Sequence, residues 1–323
     1  MSRRGGTAIW ILVFMLAAEL RGAAQSATPA ESIVRLPARA VWFVVAAERP
    51  IAAAITVDNR IRVLSLPDGR EQRAIDLPPG PADVFSISPD GRFIVFGDHK
   101  GNVHVWSSAT GVTQCKLSLR RYPGVAVFSH DGGTLALAAQ GDALQLVDVA
   151  KCTTHVSLAQ TAGGVMAAAF SRDDRFIATA DGDTAVRVYE AANARLVSEN
   201  KDSVMSPLAV DFTADGGTVL ALGGDKVVLF VDAATGRTSR RMDATQPPFA
   251  MQISPNGTLL ATVFMKSEDM TQPDHITLTS LPAGTRQADW VPPVLPIGGG
   301  WTVHGHFIVA TAAQNTLHLW TLN

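Results

Sequence analysis

The sequence predicts an all-β architecture built from a repeated unit of four short antiparallel strands. Two observations carry this. First, one turn phrase returns along the chain: Ser88-Pro89-Asp90-Gly91, Ser129-His130-Asp131-Gly132, Ser171-Arg172-Asp173-Asp174, Thr213-Ala214-Asp215-Gly216 and Ser254-Pro255-Asn256-Gly257, in steps of 41, 42, 42 and 41 residues. A fixed period near 40 marks one supersecondary unit per repeat. Second, short apolar runs bounded by turn residues surround each phrase, as in residues 92–97 and 103–107 followed by Ser108-Ala109-Thr110-Gly111. Such runs read as hairpin-connected strands.

The chain has 323 residues, enough for two ordinary domains. A repeat array escapes that limit, because each unit packs on its neighbours. Hydrophobic residues make up 47% and charged residues 17%, so there is ample material to bury. The net charge of −2 comes without a basic block or an acidic tail, so no nucleic-acid partner and no disordered charged arm are expected.

Residues 1–24 read as a signal peptide. Arg3 and Arg4 precede an apolar run from Ala8 to Ala18, which ends at Glu19, and Gly22-Ala23-Ala24 supplies small residues for cleavage before Gln25. The run has eleven residues, against the roughly 20 that a membrane span needs. No membrane span is therefore expected after cleavage. The mature chain would carry 24 Lys and Arg against 28 Asp and Glu, a charge of −4. Export places it in the periplasm or outside the cell.

Residues 25–32 form a small, polar linker. Ile33 to Leu36 is a short strand closed by Pro37, and the first unit follows with strands at 41–45, 51–55, 61–66 and 74–77. Four more units repeat the plan, with third strands ending at Val105-Trp106, Leu146-Val147-Asp148, Val188-Tyr189-Glu190 and Phe230-Val231-Asp232. A sixth starts near Pro248 and carries an insertion at 265–274. The seventh starts near Gly299 and supplies only three strands before Asn323. The unassigned strand Ile33 to Leu36 is expected to complete it, pairing antiparallel with the strand that contains Leu317 to Trp320. Closure of this kind removes open edges. Four-stranded sheets arranged radially around a channel form a β-propeller.

At these residues the chain resembles the WD40-repeat family of seven-bladed propellers, over residues 33–323. Trp106 and Trp320 end third strands as the family's structural Trp does, Tyr189-Glu190 is an aromatic-plus-acid variant, and Asp58, Asp183 and Asp225 stand six residues before the same position. Lys100 and Gln314 replace that Asp in blades two and seven, and the family's Gly-His pair is absent. The resemblance implies that Trp106 and Trp320 are buried between blades and that the Asp residues are structural.

Cys115 and Cys152 are the two cysteines. An oxidising compartment permits a bridge. The repeat register, however, aligns Cys152 with Gly111 in a turn and places Cys115 inside a strand of another blade, so two free thiols are expected.

Little in the sequence points to catalysis. His304-Gly305-His306 is a close pair without a third ligand, and it falls near a turn. Met265, Met270 and His275 with Glu268, Asp269 and Asp274 have soft-metal chemistry, but a solvated loop explains them. Haem-attachment and nucleophile-elbow motifs are absent. Gly298-Gly299-Gly300 reads as a strand entry, because no helix follows. No catalytic residue, metal or cofactor is expected.

The remaining candidate is an interaction face. Loops between blades share a side of the ring with the turns between second and third strands, and they carry Arg39, His99, Lys100, Arg120, Arg121, Tyr122, Lys201, Asp202, Lys266 and Trp290. Arg, Tyr and Trp are enriched at interface hot spots. The sequence thus favours an exported, monomeric, non-enzymatic scaffold for a protein partner. The alternative is a periplasmic propeller enzyme of the lactonase type, with an acidic or His-rich site at the channel mouth. Intact-mass measurement of the native protein is expected to give a chain beginning at or near Gln25; a mass retaining residues 1–24 would overturn the export reading.

Overall fold

The computed structural model describes residues 29–202, 207–243, 248–265, 273–281 and 283–322. The residues of the signal-peptide reading, together with Lys266, Glu268, Asp269 and Met270, lie outside them. Among the described residues there are 28 strands and no helix. They form five four-stranded sheets and one eight-stranded sheet. Each four-stranded sheet is a meander of consecutive strands, covering residues 82–118, 123–157, 165–200, 207–243 and 248–290, here called sets two to six.

The eight-stranded sheet contains set one, residues 40–76, and a last set made of Pro296–Trp301, Phe307–Ala313 and Thr316–Leu322 with Ala30–Arg35 at its outer edge. Ala30–Arg35 pairs antiparallel with Thr316–Leu322, Ile33 facing His318 and Val34 facing Leu317. Glu31 and the His318 ring sit 2.6 Å apart across this pair. The strand starts at Ala30, so the last residues of the sequence-predicted linker are strand.

The two sets merge because the first strand of set one pairs in parallel with that of the last set, Phe43 against Gly298 and Val44 against Gly299. Only glycine permits this approach. A Cβ at Gly298, whose φ is 148°, would lie 1.9 Å from the Phe43 carbonyl oxygen, and one at Gly299 would lie 2.4 Å from that of Ile308.

The core is distributed between neighbouring sets. Val95, Val103, Val105 and Cys115 of set two pack with Phe128, Leu135, Leu137 and Val147 of set three, for example. Trp106 is 5% exposed and packs between sets one and two with Ile61, Ile75 and Phe96. Trp320 is only half-buried; its indole N–H donates to Thr311 Oγ1 at 3.1 Å, and its ring lies 5.3 Å from that of Trp290.

The recurring turn phrase has one geometry. Ser88 Oγ donates to Asp90 Oδ1 at 2.6 Å and accepts from the Phe93 amide at 2.9 Å. Ser129 with Asp131, Ser171 with Asp173, Thr213 with Asp215 and Ser254 with Asn256 repeat the first bond at 2.6–2.7 Å. The fourth residue takes a left-handed φ, 71° at Gly91 and 67° at Gly132. Asp174 does so without being glycine, at 57°, a conformation Asp tolerates better than most residues.

The expectation of free thiols is corrected: Cys115 and Cys152 are bonded, with Cα atoms 5.3 Å apart. The outermost strand of set two leans against the turn between the third and fourth strands of set three, and Cys152 Sγ lies 3.5 Å from the Lys116 carbonyl oxygen. The repeat register gives positions within one set but not this lean of one set on the next.

The structural Asp positions also differ from the family plan. Asp58 pairs with the buried Arg62, which also reaches Glu71 at 2.8 Å. Asp183 pairs at 2.7 Å with Arg187, which also holds Asp181 at 2.5 Å and Glu199 at 2.7 Å. Three carboxylates around one guanidinium keep Arg187 charged and raise its pKa. The Arg stands four residues after the Asp in both sets. Leu229 takes that place after Asp225, whose Oδ1 is buried without a hydrogen-bond partner among the described residues.

Two outcomes follow from the turns. Ser129→Ala removes a buried hydroxyl and strands the Thr134 amide; it is expected to cost about 1–3 kcal/mol in chemical denaturation. The Ser171 and Thr213 hydroxyls hold Asp173 and Asp215 below the usual carboxylate range. A depressed carboxylate contributes stability above its unfolded pKa and loses it as pH falls through the folded one. The thermal midpoint is therefore expected to fall as pH drops below about 4, and a flat profile from pH 5 to 2 would contradict this.

Candidate interaction face

The first strands of sets one to five border a common space, and the first strand of every set has the same irregularity. The register to the second strand shifts between residues 40 and 42, 82 and 84, 123 and 125, 165 and 167, 207 and 209, 248 and 250, and 296 and 298. Each strand therefore carries a one-residue bulge near its start. Four of them open on Pro123, Pro207, Pro248 and Pro296, a place where the missing N–H of proline is tolerated. A bulge bends the strand and re-aims the extra residue.

The bulged residues include Val41, Asp83, Gly124, Met166, Leu208 and Ile297. Asp83, Gly124, Met166 and Leu208 surround one end of this space, here called the upper mouth. Val41 and Ile297 border an adjoining apolar cleft of about 510 Å³ between set six and the merged sheet. Val41, Met166 and Leu208 are each more than 40% exposed, as are Val291, Val294 and Leu295 in the loop between Arg286–Trp290 and Pro296–Trp301. The upper mouth is thus rimmed with apolar side chains.

Basic residues stand around this rim. Arg39, Lys100, Arg120 and Arg121 are all exposed; among the described residues none forms an ion pair, although the Lys100 charge helps lower the pKa of Asp98. The His99 and Tyr122 rings stack with centroids 4.8 Å apart. His99 Nδ1 lies 3.2 Å from Asp83, and the Tyr122 carbonyl accepts from the Gln140 amide at 3.1 Å. These contacts join the loop before set three to the turn and first strand of set two, so Tyr122 is held in place while Arg120 and Arg121 project beside it. Lys201 pairs with Glu199 at 2.9 Å, and Asp202 accepts from Thr238 Oγ1 at 2.5 Å; both belong to local networks.

Trp290 is placed differently from its loop neighbours. It is the last residue of the strand Arg286–Trp290, pairs opposite Ile276, and is half-buried against Trp320. Its ring closes the joint between set six and the last set. His304 and His306 are exposed on the turn between Pro296–Trp301 and Phe307–Ala313. The His275 ring stacks on Phe264 with centroids 4.4 Å apart. Among the described residues no three His, Cys, Asp or Glu side chains gather into a metal-holding group, and no helix is long and apolar enough to cross a membrane.

The lower mouth has residues that sequence reasoning passed over. Glu48, His130, Arg172 and Asp211 border a cavity there of about 340 Å³. Burial pushes the Asp211 carboxyl up to about 6, against the opposing pull of two backbone amides. The available signal was an acid inside the otherwise apolar run Pro207-Leu208-Ala209-Val210-Asp211-Phe212.

Comparison with known proteins agrees with the repeat reading. Residues 76–107 and 149–190 match the family described as WD domain, G-beta repeat. The chain is 26% identical over 148 residues to the WD repeat-containing protein SL1-17 of Schistosoma mansoni, an alignment covering 46% of this chain and 49% of that protein. The chain thus matches about half the length of that relative. The described residues are thus all-β, and two stretches of the chain match the WD repeat model.

Proposed function

We propose that this chain is an exported, seven-bladed propeller that acts as a non-enzymatic scaffold and binds a protein partner at its upper mouth. Seven sets of four strands are obtained when Ala30–Arg35 is counted with the last set, which supports a closed ring. The Cys115–Cys152 bond supports an oxidising compartment. WD repeat proteins are typically interaction scaffolds, and the matched repeats support that role here.

The observation that carries the reading is the ring of bulges. It brings Val41, Met166 and Leu208 to one mouth, beside cations that form no ion pair within the described residues. Burying exposed apolar area drives association, and uncompensated positive charge steers an acidic partner. The matching partner surface is apolar at its centre and acidic at its margin. Tyr122 is the anchor, because its ring is already fixed by His99 and loses little freedom on binding.

Affinity capture with the mature chain from its native envelope, followed by binding measurements on the recovered partner, tests this. Tyr122→Ala and Arg120→Ala/Arg121→Ala are expected to weaken binding by roughly tenfold or more, and added salt should weaken it further. The far-UV spectrum should be unchanged. Trp290→Ala is expected to lower the thermal midpoint instead, because it opens the joint with Trp320. Binding that survives the Tyr122 and Arg substitutions would overturn the assignment of this face.

A further inference from the structure

The lower mouth differs from the upper in both shape and charge. Arg172, from the first turn of set four, spans it. Its Nη2 lies 3.6 Å from Glu48 Oε1 in the corresponding turn of set one, and its Nη1 donates to the Pro255 carbonyl of set six at 2.8 Å. One side chain thus links three turns as a crossbar over the cavity. Beneath it the wall is formed by Phe128, Phe212, Met251, Gln252 and Trp301 among others.

Asp211 faces this cavity from the first strand of set five. Its Oδ1 accepts from the Phe212 amide at 2.9 Å and its Oδ2 from the Ile253 amide at 2.8 Å. An ionised carboxylate has about four acceptor positions, so lone pairs on both oxygens remain. Among the described residues no cation lies within ion-pair distance of it, and the one opposing charge that acts on it is the more distant His130 ring. The neighbouring strands Val165–Phe170 and Pro248–Ile253 carry no ionisable residue.

Among the described residues, only Glu48, His130 and Arg172 share the cavity with Asp211 as charged or titratable groups. Glu48 and Arg172 neutralise each other. The His130 ring is engaged by Asp174, with Nδ1 3.2 Å from Oδ1, and the His130 and Asp131 amides bond the same carboxylate at 2.7 and 2.9 Å. What is left over is one negative charge beside the apolar side chains of Phe128, Phe212, Met251 and Trp301. A buried charge is costly without a partner, so the cavity selects for a positive one. An anion would find both arms of Arg172 occupied and would face Asp211.

We propose that the lower mouth binds a small alkylammonium ion, with Asp211 as its counter-ion, the aromatic wall around its alkyl part, and the Arg172–Glu48 crossbar controlling entry. The site is independent of the upper face and of any protein partner there. Because burial raises the Asp211 carboxyl to about 6, it is mostly neutral at pH 5 and mostly charged at pH 7. Affinity for a cation therefore rises by roughly tenfold over that interval, and binding near pH 6 displaces a proton from Asp211 into solution.

The test titrates the full chain with n-butylammonium chloride, read by tryptophan fluorescence, since Trp301 borders the cavity, and by calorimetry. Butanoate and n-butanol serve as anionic and neutral isosteres. Saturable binding of n-butylammonium alone, about tenfold tighter at pH 7 than at pH 5, is expected. Asp211→Asn should abolish most of the affinity and its pH dependence. Arg172→Gln, an exposed turn substitution, should tighten binding by removing the crossbar and leaving Glu48 unpaired. Equal binding of butanoate or n-butanol, an affinity unchanged between pH 5 and 7, or full affinity in folded Asp211→Asn would overturn the proposal. If Asp211→Asn does not fold, the pH series on the unmodified chain and the Arg172→Gln comparison decide it.

Discussion

A buried hydroxyl at the turn between first and second strands is the constraint on which the other contacts depend. Ser88, Ser129, Ser171 and Ser254 are almost wholly buried, and each bonds an Asp or Asn side chain on one side and a strand amide on the other. The turn therefore fixes where the second strand starts relative to the first. With side chains alternating at a period of two, a slip of one residue would turn the apolar face of each set toward solvent. The turn thereby protects the cores between neighbouring sets. Asp174 adds a link between repeats by capping the turn of the preceding set at His130 and Asp131.

The opposite ends of the first strands are set by the bulges, so one strand carries two different devices. The hydroxyl turns and the Arg172 crossbar give the lower mouth a polar, bonded margin. The bulges give the upper mouth an apolar margin with loose cations around it. The buried Arg62 and Arg187 networks sit farther out, in the third strands. In each, one Arg four positions after the Asp, in the same sheet, holds the carboxylate.

The repeat period, the strand that completes the last set and the burial of Trp106 were legible in the sequence, because each depends on local spacing. The disulfide was not, since Cys115 and Cys152 meet through the lean of one set against the next. Trp290 reads as a loop residue beside Val291-Pro292-Pro293, but the strand continues to its last atom pair with Ile276 and turns the ring toward Trp320. Asp211 was visible as an oddity without a context. Its meaning depends on which groups from sets one, three and four surround it, and a linear sequence does not rank those distances.

The glycines at 298 and 299 have a volumetric consequence. They let Phe43 and Val44 pair in parallel with the last set, and for the same reason they project nothing into the space beside them. The apolar cleft of about 510 Å³ lies at that spot, bordered by both glycines. Internal voids disappear when a chain unfolds, so hydrostatic pressure acts against structures that contain them. The open space at the junction between set six and the merged sheet therefore gives hydrostatic pressure a place to act on this fold.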